Sequence, residues 1–175
     1  MARQYAAVDK NSRAYKQQQV ASARSSLMLV LILTLVNVGM ILANSDMFFL
    51  LSAFVPYVLV IYGRSMDAGV FGSNTAVSLV IAGVIVAVLL LCWLLSKKKP
   101  LFMTISAVLL VLDTVALVYF AFVMMDNPTS QIVNIGLHIF VVYSLIQGSI
   151  QSSKLKKETE DDFDNQVASS PEIEF

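Results

Sequence analysis

The sequence predicts an all-α integral membrane protein with four transmembrane helices in two antiparallel hairpins and a short re-entrant or interfacial apolar segment. Three observations predict this fold. Of the 175 residues, 57% are hydrophobic and 14% are charged, whereas a typical soluble domain is about one quarter charged. The mean hydropathy is +0.74. The apolar residues form five uncharged runs, and the basic residues between these runs are distributed unevenly.

Four of the apolar runs are long enough to cross a bilayer, whose hydrocarbon core of about 30 Å takes about 20 helical residues. The predicted spans are about 25–45, 75–96, 101–125 and 130–152. Each must be helical, because backbone polar groups in lipid have to be paired within their own segment. The short connections 96–100 (SKKKP) and 126–130 (DNPTS) make the neighbouring helices antiparallel.

The remaining apolar run, 47–63, is the one whose path is ambiguous. It has 17 residues between Asp46 and Arg64 and contains Pro56. As a helix it would be about 25 Å long, and proline interrupts a helix. We therefore expect this run to stay on one side of the membrane. The alternative is a chain with five spans, since about 17 residues is the lower limit for crossing.

The distribution of basic residues favours four spans. If 47–63 does not cross, eleven of the twelve Lys and Arg residues lie on the side of both termini, and Arg64 alone lies opposite. If it crosses, the same residues divide six and six. Because Lys and Arg accumulate in cytoplasmic loops, we expect a multi-pass protein of the cell membrane with cytoplasmic N- and C-termini.

The two ends of the chain are polar. Residues 1–24 form a basic cytoplasmic arm, which we expect to be solvated, with a helix on the membrane surface as the alternative. Residues 154–175 begin basic and become acidic. With few apolar residues to bury, this cytoplasmic tail is expected to be disordered. Both tails are candidate binding segments for partner proteins.

One carboxylate, Asp113, lies deep in the third predicted span, where a charged Asp costs about 3 kcal/mol. Its predicted partner is His138. From Asn127 in the turn, Asp113 is 14 residues back and His138 is 11 forward, a mismatch of about 4.5 Å along the helix axis. The candidate intramembrane polar network has four further members. Asn134 and Gln131 share a helix face with His138, Ser106 shares one with Asp113, and Asn37 lies in the first span.

This network has two interpretations. In the first, Asp113 and His138 form a proton or cation relay, in which the imidazole titrates near neutral pH. In the second, the residues form interhelical hydrogen bonds that hold the bundle together.

No motif for catalysis or cofactor binding occurs in the chain. It contains no Walker loop, GxGxxG, HExxH, GxSxG or CxxC, and its single cysteine is Cys92. His138 alone cannot hold zinc, which takes at least three protein ligands. We therefore expect no enzymatic activity, no cofactor and no metal. Nucleic-acid binding is also not expected, because the topology accounts for the basic residues.

The stretch LTLVNVGMILANSDMFFLLSAFVPYVLVIYG, with TxxN in the first span and SAFVPY after the turn, resembles small multi-span membrane proteins of Firmicute-type bacteria. The likeness covers roughly residues 27–63. The resemblance implies a bacterial cell membrane as the location, and it transfers no activity because none is known for that group.

Two functions are compatible with these features. The first is a non-enzymatic accessory or scaffolding subunit of a membrane complex, in contact with the lipid bilayer and with partner proteins through its cytoplasmic tails. The alternative is a transporter or channel subunit that forms a pathway as a homo-oligomer, with Asp113 and His138 as a relay. Four helices alone would make only a thin conduit, so this alternative needs self-association.

Overall fold

A computed structural model of the chain describes residues 12–45, 47–67, 72–124 and 128–168, and all regular structure in these ranges is helical. The five α-helices are α1 (Arg13–Leu42), α2 (Phe54–Ser65), α3 (Ser73–Leu95), α4 (Pro100–Tyr119) and α5 (Ile132–Ala168). A π-helical segment, Phe120–Met124, continues α4, and a 3₁₀ turn, Pro128–Gln131, precedes α5.

In the described ranges, four helices are long and apolar enough to cross a membrane: α1, α3, α4 with its π-helical continuation, and the 132–159 part of α5. They coincide with the four predicted spans, so the prediction of an all-α membrane protein is confirmed. Large apolar side chains cover the outside of the bundle. Val80 and Phe140, for example, are 67% and 65% exposed, as expected for side chains that face lipid.

The short helix α2 does not cross the membrane. Its 12 residues measure about 18 Å, well short of the 30 Å core. After α1 ends at Leu42, the chain turns back along it. The Ala53 N–H donates a hydrogen bond to Thr34, which lies eight residues before the end of α1. At the far end of α2, the guanidinium of Arg64 donates a hydrogen bond to the carbonyl of Ile41. The segment thus enters the bundle and returns to the same side, and the five-span alternative is not what the structure has.

The bundle has two chemically different ends. We call one the basic end; it contains residues 13–24, the turn 96–99 and residues 154–168. The opposite end, with residues 43–45, 47–48 and 66–67, is the re-entrant end. Both ends of the described chain lie at the basic end, because the ammonium of Lys16 at the start of α1 forms an ion pair with Glu158 near the end of α5.

An apolar core fills the half of the bundle toward the basic end. It contains Leu27, Met103, Leu110, Val141 and Leu145, each at most 1% exposed. The helices that supply these residues pack closely: α5 lies against α1 and α4, and α2 lies mainly against α3. α1 and α5 approach most tightly where Gly148 faces Ala23, since a Cβ atom on Gly148 would lie 2.3 Å from the Cβ of Ala23.

The terminal segments differ from the prediction. Residues 13–24 of the expected solvated arm belong to α1, and α5 continues to Ala168 although a disordered tail was expected from residue 154. The physical reason is that each helix supplies charges opposite to those of the other: Lys16 pairs with Glu158, and Arg13 lies 4.0 Å from Asp162. Ser12 also caps α1 by accepting a hydrogen bond from the Tyr15 N–H. The rest of the predicted arm and tail, 1–11 and 169–175, lies outside the described residues.

Candidate functional site

The polar residues of the membrane interior surround the irregular backbone that leads into α2. Residues 49–53 are not helical, and Leu51 has a φ of 69°. Lipid offers no hydrogen-bond partners, so irregular backbone at this depth persists only where protein groups satisfy its N–H and C=O groups. Side chains from α1, α4 and α5 provide these partners.

Asn37 of α1 pairs with the backbone of Phe49 in the way that a neighbouring strand would. Its Oδ1 accepts a hydrogen bond from the Phe49 N–H at 2.8 Å, and its Nδ2 donates to the Phe49 carbonyl at 2.7 Å. The same Nδ2 donates to Ser52 Oγ at 2.8 Å. One turn earlier on α1, Thr34 Oγ1 accepts from the Ala53 N–H at 2.8 Å and donates to the Val30 carbonyl.

Asp113 of α4 caps the buried N-terminus of α2. Its Oδ2 accepts a hydrogen bond from the Phe54 N–H and its Oδ1 accepts one from the Val55 N–H, both at 2.8 Å. The N-cap residue of α2, Ala53, has no side chain that could do this. The N-terminus of a helix carries a partial positive charge, so the carboxylate is stabilised by the dipole as well as by the two hydrogen bonds.

His138 of α5 places both ring nitrogens against oxygen atoms. Nδ1 lies 2.9 Å from the Asn134 carbonyl, and Nε2 lies 3.0 Å from the Ser52 carbonyl. Nε2 is also 3.6 Å from Asp113 Oδ2. A neutral imidazole has one N–H, whereas carbonyl oxygens only accept hydrogen bonds. Each ring nitrogen therefore faces a hydrogen-bond acceptor, and the imidazole of His138 lies between the backbone of the re-entrant segment and that of its own helix.

Asn134 and Gln131 complete the network on α5. Asn134 Oδ1 accepts a hydrogen bond from the Leu51 N–H at 3.2 Å, and its Nδ2 donates to Gln131 Oε1 at 3.4 Å. Asn134 is 2% exposed, whereas Gln131 is only partly buried. Gln131 thus lies at the edge of the network.

Ser106 is the predicted site residue that the structure does not bring to the network. It is fully buried, but its hydroxyl donates to the Phe102 carbonyl of its own helix at 2.9 Å. It lies seven residues from Asp113, or about 10 Å along α4, and adjoins Cys92 on α3. Ser106 lies on the same buried face of α4 as Asp113, but the re-entrant segment does not reach as deep into the bundle as Ser106.

Two residues outside the predicted set belong to the network, Thr34 and Ser52. The sequence carried a signal for Thr34, which lies three residues before Asn37 and so on the same face of α1. Ser52 carried none, because it lies in irregular backbone where periodicity has no meaning.

The network is closed toward the basic end. Beneath it lie the fully buried side chains of Leu27, Leu110 and Val141. Among the buried side-chain nitrogen and oxygen atoms of the described residues, Oε1 of Gln151 alone has no hydrogen-bond partner, and Gln151 is 13 residues further along α5 than His138. The buried polar side-chain atoms of the network therefore each have a hydrogen-bond partner within the protein.

A cavity of about 320 Å³ adjoins the network on its other side, between α2, the π-helical segment and α5. Aromatic rings and two amides line it, including Phe54, Tyr57, Phe120, Gln131 and Asn134. The rings of Phe54 and Phe120 are 5.4 Å apart, centroid to centroid. The α4 backbone widens into a π-helix at Phe120, and such widening is frequent next to functional sites.

Comparison of the chain with protein-family models, curated proteins and solved structures gave no match.

Proposed function

We propose that this chain is a non-enzymatic integral membrane protein that acts as an accessory or scaffolding subunit of a membrane complex. Its location would be the cell membrane of a bacterium, with both termini in the cytoplasm. The observation that carries this proposal is the use of the intramembrane polar groups. Asp113, His138, Asn37 and Asn134 are bonded to the backbone of the re-entrant segment.

Asn134 also lines the cavity beside α2, but transport through the bundle would need a polar path that continues from these groups to the basic end. The hydrogen bonds of these groups take the place of the water that the irregular backbone lacks, which is a structural task. The apolar core around Leu27 and Leu110 then separates them from the basic end. A single copy of the bundle is therefore a poor conduit for ions, and its bonded polar groups and apolar core suit a structural role.

The orientation follows from charge. In the described residues, the basic side chains at the basic end include Arg13, Lys16, Arg24 and Lys97, while Arg64 lies near Ile41 at the re-entrant end. Positively charged loops stay in the cytoplasm, so the basic end would be cytoplasmic.

The surface for a partner would be the helical stalk formed by residues 13–24 of α1 and 154–168 of α5. α1 has 30 residues and is about 45 Å long, about 15 Å more than the hydrocarbon core needs. The stalk is held together by the Lys16–Glu158 ion pair. It exposes residues of both signs, such as Lys154 and Asp161, which suits a polar protein partner.

The test is the size of the assembly in native membranes. The chain at its normal expression level is extracted in mild detergent and separated by native electrophoresis, with Lys154→Glu/Asp161→Lys as the stalk variant and Ser65→Glu at the re-entrant end as the matched control. We expect a heteromeric assembly that the stalk variant loses and the control keeps. Migration as a monomer or a pure homo-oligomer would contradict the proposal.

The second candidate is an oligomeric transporter or channel subunit with an Asp113–His138 relay. The 3.6 Å distance between His138 Nε2 and Asp113 Oδ2 and the short helix α2, whose N-terminus lies beside them, favour it. Proton flux into liposomes that contain the purified protein separates the two functions. Flux that Asp113→Asn and His138→Gln abolish and Asp67→Asn keeps would support the relay, whereas the accessory role predicts no flux in any of the four proteins.

A further inference from the structure

At the basic end, a polar cavity and an apolar groove meet at one arginine. The cavity, of about 330 Å³, lies between α1, the turn 96–99 and α5. Its lining includes Arg24, Lys97, Lys98 and Lys99, and none of the described side chains that line it is acidic. The groove, of about 480 Å³, runs along α1 beside Trp93 and is lined by Met28, Leu29 and Ile32, and Arg24 lines it as well.

Arg24 is held in place by Trp93. Its guanidinium donates a hydrogen bond to the Trp93 carbonyl at 3.4 Å and lies 5.5 Å from the centroid of the indole ring. In return, the indole N–H donates to the Arg24 carbonyl at 3.1 Å. Tryptophan is typical of the membrane boundary, so this pair fixes a positive charge at the depth of lipid headgroups.

The first turn of α4 adds to the positive potential. α4 begins at Pro100, which lines the cavity together with Lys99, and no side chain caps this helix. Helix N-termini attract phosphate groups, because N–H groups and the helix dipole are both directed toward the ligand.

We propose that this joint site binds one anionic phospholipid, whose phosphate lies in the cavity and one of whose acyl chains lies in the groove along α1. Basic pockets between transmembrane helices bind acidic headgroups in this way. An anionic lipid matches both halves of the site, since the cavity is basic and the groove is apolar. A free phosphate would match the cavity alone. The proposal does not depend on the proposed scaffolding function.

The test measures headgroup preference by native mass spectrometry. The purified full-length chain in mild detergent is given equal amounts of dioleoyl phosphatidylglycerol and dioleoyl phosphatidylcholine, which differ only in the headgroup. We expect one phosphatidylglycerol molecule to be retained in preference. Equal retention of the two lipids would overturn the proposal. So would a site that binds inorganic phosphate while showing no preference between the lipids.

Two pairs of variants locate the binding. Lys97→Gln/Lys98→Gln should reduce the preference about fivefold for each lysine removed, whereas Lys154→Gln/Lys157→Gln, which removes the same charge outside the cavity, should leave it unchanged. Equal losses would mean diffuse surface attraction and would overturn the proposal.

The groove is tested separately with Leu29→Trp, which fills it, and with Leu35→Trp on the exposed surface of the same helix. Only Leu29→Trp should lower lipid retention. Because both are apolar exchanges on lipid-facing positions, this pair remains informative if the lysine variants fail to fold. Equal retention by Leu29→Trp and Leu35→Trp would overturn the assignment of the acyl chain to the groove.

Discussion

The carboxylate of Asp113 accepts a hydrogen bond from the backbone N–H of Phe54 at 2.8 Å, and through this contact a full-length spanning helix holds the buried tip of a helix that does not span. The second oxygen of Asp113 accepts from the next N–H, that of Val55, at the same distance. The re-entrant segment is therefore fixed at the point where its backbone is deepest.

Replacing Asp113 with Asn should destabilise the fold. An amide has one carbonyl oxygen and an NH₂ group, so one N–H of the first turn of α2 loses its acceptor, and the negative charge at the helix N-terminus is lost. Hydrogen bonds to charged groups contribute about 1.5–3 kcal/mol, and Asp113 is 7% exposed. We expect the free energy of unfolding in mixed micelles to fall by about 2 kcal/mol.

Asp67→Asn is the matched control for this variant, because Asp67 also accepts from two consecutive N–H groups, those of Asn74 and Thr75. Asp67 lies in an exposed connection, so its replacement should cost less. Equal losses for the two variants would contradict the capping role assigned to Asp113.

Replacing Asn37 with Leu should loosen residues 49–53, the irregular backbone that leads into α2. Asn37 is 1% exposed and supplies the partners of both the N–H and the C=O of Phe49. Each buried group left unpaired costs about 1–3 kcal/mol. We expect faster hydrogen–deuterium exchange in 49–54 with unchanged exchange in α3. Val36→Leu, at a lipid-facing position one residue away, should leave 49–54 protected, and unchanged exchange in Asn37→Leu would argue against this pairing.

Replacing Gly148 with Leu should separate α1 from α5. A Cβ at this position would lie 2.3 Å from the Cβ of Ala23, whereas a Cβ at Gly83 would have no neighbour within 4 Å. Overpacking costs about 1–3 kcal/mol. Both exchanges gain the same helix propensity, so the difference in unfolding free energy between Gly148→Leu and Gly83→Leu isolates the packing term. Similar stability of the two variants would show that this close approach is not required.

Acid should lower the stability of the fold through Asp67, which lies between α2 and α3. Hydrogen bonds from the Thr75 hydroxyl and backbone N–H lower the pKa of Asp67 below its usual value, which is about 3.9 in unfolded chains. A lowered folded-state pKa means that the stabilisation is complete above about pH 4 and is lost as the pH falls through the folded-state pKa.

Thr75→Val keeps the shape of the fully buried Thr75 and removes the hydroxyl donor. We expect this variant to weaken the loss of stability that acid causes below about pH 4 in unfolding measurements. A pH profile identical to that of the unchanged chain would refute the role of the Asp67–Thr75 hydrogen bond.

Much of this fold could be predicted because hydropathy and charge act on whole segments. The lengths of the apolar runs located the four spans, and the position of Arg64 against the other basic residues indicated that 47–63 does not cross. Counting residues from the turn also placed Asp113 and His138 at similar depth.

The purpose of the polar residues could not be predicted in the same way. Asp113 bonds to backbone N–H groups of Phe54 and Val55, and every residue has such groups, so no side-chain pattern identifies these partners. Composition also suggested a disordered tail from residue 154. The pairing of Lys16 with Glu158 depends on the antiparallel neighbours α1 and α5, which lie more than 100 residues apart in the sequence.

The most direct test of this fold is the side of the membrane on which α2 ends. On a Cys92→Ala background, single cysteines at Met47, Ser65 and Ser153 are labelled with an impermeant reagent in intact cells; all three positions are exposed. A re-entrant segment predicts that Met47→Cys and Ser65→Cys label alike and that Ser153→Cys labels only after permeabilisation. Labelling of Met47→Cys and Ser153→Cys in intact cells, with Ser65→Cys protected, would mean that α2 crosses the membrane and would contradict the fold described here.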